Sequence, residues 1–448
     1  MADQTPSPDR LRLPWSAQLT RYRGLVGLLL TQALSLTGTR VSAVALPWLV
    51  LTTTGSTALT GLTAFCELGP YVLAKAAAGP AIDRIGPRRI SLLGDLISAV
   101  TVLAVPIAHA AGALPIWLLL VLVAITGSVR GPGDAAKVAM TPDAADDARV
   151  PLERVTGLSG AAERLAITAG PALGAAAVAG FGAATALVFN AATFLLSAAA
   201  TALAAPERRA QPVDGEEEAG YWQRLGKGFA FLRGNRLLAT AVGLTVATNF
   251  LDAAWSAVLI PVWVHLHDLG VGAVGAVFSV MSAASAAAGL VAAWLGERLP
   301  RRVTFLAGFV IAGAPRFLVL ALGAPLTAVL IVSAVSGFAA GFLNPILAAA
   351  VYERIPRELV GRVISVADAV SWAGVPLGGL IAGAALGAVA LAPVAAVAGV
   401  LYCAATTLTG LRPEWRELDA EPAGPREPFS GRAPTTRPLP GASPASTG

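Results

Sequence analysis

Long apolar segments dominate this sequence, and no other feature restricts the possible fold as strongly. About 20 consecutive apolar residues suffice to cross the hydrocarbon core of a bilayer as an α-helix. Only 13% of the 448 residues are charged, whereas soluble domains carry about 25%. The sequence therefore predicts an all-α polytopic membrane protein. Twelve spanning helices are predicted, over residues 24–51, 58–82, 90–109, 114–138, 158–181, 184–205, 237–264, 270–296, 303–322, 326–351, 363–384 and 389–411.

Basic residues alternate among the predicted loops. Every second loop contains no Lys or Arg, and the loops between them carry two or more each. Because cytoplasmic loops of membrane proteins are enriched in Lys and Arg, we predict a multi-pass protein of the cell membrane with both termini in the cytoplasm. The net charge of +5 is spread over these short loops, so no nucleic-acid partner is expected.

The two halves of the chain repeat one another in order. Three pairs of segments match: Ser42–Val50 with Ser256–Val264 at an offset of 214 residues, Pro87–Arg89 with Pro300–Arg302 at 213, and Leu173–Gly174 with Leu377–Gly378 at 204. Such repeats predict two six-helix bundles related by pseudo-symmetry. The predicted organisation is an N-terminal segment (1–21), a first bundle (22–206), a linker with an amphipathic helix (207–236), a second bundle (237–411) and a disordered tail (412–448).

A charged turn, Gly79–Arg89, joins the second and third predicted helices. It resembles the cytoplasmic loop signature G-x-x-x-D-R-x-G-R-R of the major facilitator superfamily. Gly79, Asp83, Arg84 and Gly86 match the signature, whereas a proline departs from it at the first basic position and the basic pair follows one residue later. The resemblance implies the major facilitator fold, with two pseudo-symmetric six-helix bundles, and secondary transport.

Further short sequence motifs resemble those of the twelve-helix drug exporter branch of that superfamily, which includes macrolide and siderophore exporters. They are Ala45–Val50, Asp83–Arg84, Asp95, Gly170–Pro171, Asn249 with Asp252, Asn344–Pro345 and Pro356–Arg362. The branch implies efflux of a bulky amphipathic drug or secondary metabolite in exchange for protons, by alternating access. An uptake permease of the same fold is the alternative.

Four charged residues and one asparagine fall near the predicted membrane midplane, where each charge costs at least ~2.5–3.5 kcal/mol. Arg40 and Glu67 lie there on neighbouring helices of the first bundle, and Asn249, Asp252 and Arg316 lie there in the second. We expect these five side chains to line a water-filled cavity that binds substrate and couples transport to protons.

Glu67 is the first candidate for the proton carrier and Asp252 the second. Burial favours the protonated form of a carboxyl, whereas a paired arginine favours the charged form. If Arg40 pairs with Glu67, then Glu67 has a structural role, and the sequence leaves both alternatives open.

A second tier of charges lies closer to the cytoplasm. It includes Arg130, Asp134, Glu163 and Arg164 besides residues of the predicted gate. Ion pairs among these side chains would close the inner mouth, and a static network that only fixes helix packing is the alternative. The predicted cytoplasmic gate consists of Gly79, Asp83, Arg84, Gly86, Arg88, Asp95, Arg362 and Asp368.

Gly170, Pro171 and Gly174 form a small-residue motif in the fifth predicted helix. Pro removes a backbone hydrogen bond and Gly allows close helix approach. The motif is similar to the helix-5 motif of proton-driven exporters, with general small-residue packing as the alternative.

No cofactor or metal is expected, because Cys66 and Cys403 lie inside apolar segments and the three histidines lie at outer loops. An integral-membrane enzyme would need a catalytic cluster at one depth, and the sequence offers none, so we expect no enzymatic activity. The expected energy source is the proton gradient. The expected partners are a small-molecule substrate and the lipid bilayer, and the expected state is a monomer.

Overall fold

A computed structural model describes residues 15–204, 221–295, 300–343, 345–347, 354–355 and 359–418. All regular elements within these ranges are helices, so the all-α prediction is confirmed. We call residues 15–204 the first half and residues 221–418 the second half.

The first half consists of eight helices that run back and forth across the molecule. They are α1 (Trp15–Thr54), α2 (Thr57–Ala76), α3 (Ala78–Ile85), α4 (Pro87–Ala110), α5 (Ile116–Ala139), α6 (Thr141–Ala148), α7 (Leu152–Phe181) and α8 (Ala183–Ala204).

The second half contains nine described α-helices, one π-helical turn and one 3₁₀ turn. They are α9 (Tyr221–Gly234), α10 (Arg236–Ala254), the π-helical turn Trp255–Leu259, α11 (Ile260–Leu266), α12 (Val271–Leu295), α13 (Arg301–Ala321), α14 (Leu326–Ala340), α15 (Val360–Ala373), α16 (Val375–Ala388), α17 (Leu391–Gly410) and the 3₁₀ turn Pro413–Leu418.

Polar caps and glycines fix several helix ends. The Ser56 hydroxyl accepts a hydrogen bond from the Leu59 amide (3.2 Å) at the start of α2, and the Asn235 side chain accepts one from the Leu238 amide (3.1 Å) at the start of α10. Both are N-cap bonds that satisfy otherwise free amides. The predicted start near residue 237 thus moves to Arg236.

Most of the predicted short turn Gly79–Arg89 is helical, so the non-helical connection is even shorter than predicted. Helix α3 covers Ala78–Ile85, and only Gly86 lies between α3 and α4. Gly86 has φ = 94°, a conformation that side chains disfavour. Pro87 then occupies the first turn of α4, where its missing N–H costs nothing.

Two other predicted helices are interrupted. The predicted helix 363–384 is split at Gly374 into α15 and α16, with Pro376 in the first turn of α16. The predicted helix 237–264 contains the π-helical turn Trp255–Leu259. Helix resumes at Val375 after the first break and at Ile260 after the second.

The predicted disordered tail also begins too early. The 3₁₀ turn Pro413–Leu418 folds back, and Trp415 is buried with its ring centroid 5.0 Å from that of Phe305. The Trp415 indole donates to the Thr409 carbonyl at 2.8 Å. The rest of the predicted tail, and the part of the predicted linker before Tyr221, lie outside the described residues.

Within the described ranges, eleven helical segments are long and apolar enough to cross a membrane. Helix α2 is a further predicted span that is not among the eleven, and it carries Glu67, Pro70 and Lys75. It packs along α5 and α16, and the Glu67 side chain faces protein and is only 13% exposed, the arrangement that membrane proteins use for charge.

The two halves meet near the face that holds the α1–α2 and α7–α8 connections, which we call the distal face. There the Thr57 hydroxyl donates to the Gly383 carbonyl (3.2 Å), and Gly61 lies against Gly379 and Gly383. Gly275 of α12 packs on α7 in the same way. The halves are therefore held together by close backbone approach at this face.

The opposite face holds the start of α1 and the end of α17, and we call it the terminal face. Helix α2 packs along α16 but makes only slight contact with α15, which is the part of that segment nearer the terminal face. The halves therefore diverge toward the terminal face.

A glycine pair repeats in the two halves. Gly127 and Gly131 of α5 lie against the backbone carbonyls of Glu67 and Tyr71 on α2. In the second half, 210 residues later, Gly337 and Gly341 lie against the carbonyls of Met281 and Ser285 on α12. A side chain at any of these glycines would collide with a partner backbone, so the pairs set the distance between the helices.

Candidate functional site

Glu67 pairs with Arg130 in the interior of the first half. Arg130 Nη1 lies 3.2 Å from Glu67 Oε1, and the two side chains are only 13% and 7% exposed. The close approach of α2 and α5 at Gly127 and Gly131 brings them together. The ion-pair partner of Glu67 is therefore Arg130, which was expected nearer the cytoplasm, and not Arg40, which the sequence analysis considered.

Polar contacts continue from this pair along α2 and α5. The Arg130 guanidinium lies 5.4 Å from the centre of the Tyr71 ring, and the Tyr71 hydroxyl donates to Asp134 Oδ2 at 3.3 Å. Lys75 Nζ lies 3.5 Å from the Tyr71 hydroxyl. We call Glu67, Tyr71, Lys75, Arg130, Asp134 and Lys137 the charge ladder, because they alternate between two facing helices at helical spacing.

Lys137 connects the charge ladder to a buried ion pair. Its Nζ lies 2.8 Å from Asp95 Oδ1 and 2.7 Å from the Ser35 hydroxyl. The Ser197 hydroxyl donates to the other Asp95 oxygen at 2.6 Å. Lys137 and Asp95 are 3% and 2% exposed, so Asp95, a predicted gate residue, lies inside the first half and ties α1, α4, α5 and α8 together.

Arg40 lies on α1 beneath the small-residue motif of α7. The aliphatic part of the Arg40 side chain packs against Gly170. A Cβ added at Gly174 would lie 3.0 Å from the Val41 Cα. Arg40 Nε is buried and has no hydrogen-bond partner among the described residues. On its other side, the Pro171 carbonyl faces Gly275 of α12. The motif therefore contacts Arg40 and the second half at once.

The second half holds its buried charge in a different setting. Asp252 of α10 forms an ion pair with Arg316 of α13. The Arg316 guanidinium lies 5.0, 5.3 and 5.6 Å from the ring centres of Trp255, Phe317 and Tyr402. Arg316 is 4% exposed, whereas the Asp252 side chain is 41% exposed. An aromatic cage thus surrounds the cation, and the carboxylate is the more exposed partner of the pair.

A cavity of about 340 Å³ lies between α10 and α15. The Asn249 side-chain amide donates to the Ser371 carbonyl across it at 3.0 Å. Asp368 and Trp372 project from α15 into the same cavity. Asn249 and Asp368 both line this cavity, whereas the other four residues predicted to share a cavity with Asn249 do not: Arg40, Glu67, Asp252 and Arg316.

The remaining gate residues lie at the terminal face. Asp83 and Arg84 are exposed on α3. Arg88 donates to the Ala202 carbonyl at 2.7 Å, which fastens the start of α4 to the end of α8. The side chains of Arg362 and Arg164, and the residues Asn344 and 356–358, lie outside what the structure describes.

Sequence reasoning missed Tyr71, Lys137, Trp372 and Tyr402. A signal for Lys137 was present, because Arg130, Asp134 and Lys137 recur at spacings of four and three on one helix face. The aromatic residues gave no such signal, since aromatic side chains in apolar helices ordinarily serve packing.

Comparisons with known proteins agree with this architecture. A family model described as Major Facilitator Superfamily matches residues 28–251 and 242–439. The multidrug efflux pump Tap of Mycobacterium tuberculosis (strain ATCC 25618 / H37Rv) is 31% identical over 400 residues, which are 88% of this chain and 94% of the relative. The multidrug efflux pump Tap of Mycolicibacterium fortuitum is 27% identical over 377 residues, 81% of this chain and 89% of the relative.

Two solved structures have the same fold at low sequence identity. The nucleoside transporter NupG has a TM-score of 0.69 and 14% identity, covering 86% of this chain and 98% of that chain. An inward-facing, unoccupied bacterial homologue of the human lysosomal transporter Spinster has a TM-score of 0.65 and 16% identity, covering 90% and 99%. The predicted major facilitator fold is thereby confirmed, and this multi-pass membrane protein belongs to the Major Facilitator Superfamily.

Proposed function

We propose that this chain exports bulky amphipathic drugs or secondary metabolites across the cell membrane in exchange for protons. The relatives named multidrug efflux pump match most of their own length and most of this chain. The exporter-like motifs of the sequence point the same way. Transport without chemical change to the substrate is proposed, with no enzymatic step and no cofactor.

One observation carries the coupling part of the proposal. Each half holds one interior carboxylate against one arginine, Glu67 with Arg130 and Asp252 with Arg316. A proton on either carboxylate removes the charge that attracts its arginine. Protonation would therefore loosen a contact between helices, and deprotonation would restore it.

The shape of the molecule supports a direction for the cycle. The halves touch near the distal face and diverge toward the terminal face, so a compound has access from the terminal side. The distribution of basic residues among the loops indicates that the terminal face, which carries both termini, faces the cytoplasm in this proposal. In the proposed cycle the substrate enters from that side, and the two halves then rock about the bound substrate. A proton taken up from outside returns the carrier to its starting conformation. The transporter is proposed to work as a monomer.

Everted membrane vesicles test the proposal. With an acidic interior, vesicles containing the wild type should accumulate a fluorescent amphipathic dye, and collapse of the pH gradient should stop uptake. Glu67→Gln should lower the initial rate at least about tenfold, because an uncharged amide neither binds nor releases the coupling proton. Asp252→Asn should lower it by a smaller factor.

Asp146→Asn is the matched control, because Asp146 is exposed on α6 and the chemical change is the same. Its uptake rate should equal that of the wild type. Dye uptake that is independent of the pH gradient would contradict proton exchange, and accumulation by intact cells rather than exclusion would favour the uptake permease.

A further inference from the structure

We propose that the cavity between α10 and α15 binds an organic cation with an aromatic or apolar body, with Asp368 as the counter-charge and Trp372 as the aromatic contact. The inference rests on the proposed function, because it names the chemical class of compound that the exporter takes. It assigns a binding role to the α15 side of the cavity, whereas the sequence placed Asp368 only in a gate.

The cavity has the size and chemistry of a small-molecule site. Its volume of about 340 Å³ falls within the ~300–1,000 Å³ usual for ligand pockets. Most of its wall is apolar, and a few polar groups interrupt it. The lining includes Leu238, Val242, Thr245, Asn249, Ile364 and Asp368. An apolar wall with one carboxylate suits an amphipathic cation.

Asp368 is available for an incoming cation. Its side chain is exposed to the cavity, and no ion-pair partner lies within 4.0 Å among the described side chains. Asn249 is already committed to the Ser371 carbonyl at 3.0 Å, which fixes the amide and leaves its oxygen free to accept. A carboxylate in a partly dehydrated cavity gains from a bound positive charge.

Trp372 supplies a second feature that selects cations. It follows Asp368 by four residues on α15, so the two side chains lie on the same helix face. Its side chain lines the cavity and is 44% exposed. An indole ring attracts a cation over its face more strongly than other aromatic side chains do. A carboxylate and an indole on one face favour positive ligands over negative ones of equal shape.

Lys75 is the resident cation that such a ligand would compete with. It projects from α2 and interacts electrostatically with Asp368. Its Nζ lies 5.6 Å from the centre of the Tyr71 ring, and no contact within 4.0 Å joins it to Asp368. Removal of Lys75 should therefore strengthen the binding of a cation without removing any wall of the cavity.

The test is equilibrium binding to the purified full chain in lipid nanodiscs. The probes are radiolabelled tetraphenylphosphonium and tetraphenylborate, two ions of the same shape and opposite charge, with binding to empty nanodiscs subtracted. The wild type should bind the phosphonium at least about tenfold more tightly than the borate, a difference of about 1.4 kcal/mol.

Four variants sharpen the test. Asp368→Asn should weaken phosphonium binding at least about tenfold and leave borate binding unchanged, and Asp368→Glu should retain most of the wild-type affinity. Trp372→Leu should weaken phosphonium binding about threefold to tenfold, the range of an exposed cation–π contact. Lys75→Met should strengthen it.

Equal wild-type affinity for the two ions would overturn the inference. So would phosphonium binding that survives Asp368→Asn, or a Trp372→Leu effect that is the same for both ions. The last comparison remains decisive if Asp368→Asn fails to fold. Export in vesicles without charge-selective binding would contradict this inference alone, whereas charge-selective binding without export would contradict the proposed function alone.

Discussion

The two halves of this transporter share their packing but not their charges. In both halves a pair of glycines four residues apart, Gly127 with Gly131 and Gly337 with Gly341, brings two helices to backbone contact. The positions that face each other across these contacts differ completely. Glu67 and Tyr71 present the charge ladder in the first half, where the second half has Met281 and Ser285.

At the charged site formed by Asp252 and Arg316, the second half carries the charges and the first half lacks them. At the repeat offset of 214 residues, Asp252 corresponds to Gly38 and Arg316 to Val102. In place of an ion pair there, the first half has a neutral hydrogen bond from Asn190 to Ser42. The repeated features are therefore those that hold a bundle together, and the features that differ are those proposed to bind protons and substrate.

The largest expected effect concerns the charge ladder. Lys137 corresponds to Leu347 at the offset of 210 residues, so Lys137→Met makes the first half resemble the second. The substitution leaves Asp95 buried without its cation, which should cost about 3–5 kcal/mol of folding stability. Thermal unfolding of the purified protein measures it. The double variant Lys137→Met/Asp95→Asn should recover most of the loss, and failure to recover would mean that Asp95 does not depend on Lys137.

The next effect tests the shared packing. Gly127→Val and Gly337→Val should each destabilise the protein by about 1–3 kcal/mol, because each added side chain collides with a backbone carbonyl of the partner helix. Both losses should appear in the thermal midpoint. Gly243→Ala is the control, because an added Cβ there meets no atom within 4 Å, and alanine should leave stability equal or slightly higher. A large loss of stability in only one of the two valine variants would show that the two glycine contacts are not equivalent.

The smallest expected effect is the difference in stability between lysine substitutions at Arg316 and at Arg130. Arg316 faces three aromatic rings and Arg130 faces one. Lysine keeps the charge but loses the planar group that stacks on rings. Arg316→Lys should therefore cost about 1 kcal/mol more than Arg130→Lys. Equal shifts of the thermal midpoint would show that the aromatic cage contributes nothing beyond apolar packing.

The sequence was sufficient for the fold, because apolar runs of spanning length and alternating basic loops each follow from the membrane itself. It also located Glu67, Asp252 and Arg316, since charge inside an apolar run is conspicuous. It did not identify the partner of Glu67. Arg130 and Arg40 are both arginines on neighbouring helices, and only the approach of α5 to α2 at Gly127 and Gly131 decides between them.

Local conformation was the other source of error. The charged turn around Gly86 was expected to be short, but the helix that occupies most of it, Ala78–Ile85, was not predicted as a separate element. Two single-residue breaks separate α2 from α4, at Ala77 and at Gly86, and Gly86 has positive φ and is followed by Pro87 in the first helical turn. The π-helical turn after Ala254 leaves no mark in the apolar periodicity, whereas the glycine and proline at Gly374 and Pro376 are visible in the sequence at the break between α15 and α16.

The buried Trp415 has a practical consequence for anyone who handles this protein. Among the described residues, the 3₁₀ turn Pro413–Leu418 is anchored to the bundle beyond the end of α17. Affinity tags and reporter proteins therefore belong after residue 418, and shortening the chain to residue 412 would uncover an apolar pocket around Phe305 and invite aggregation during purification.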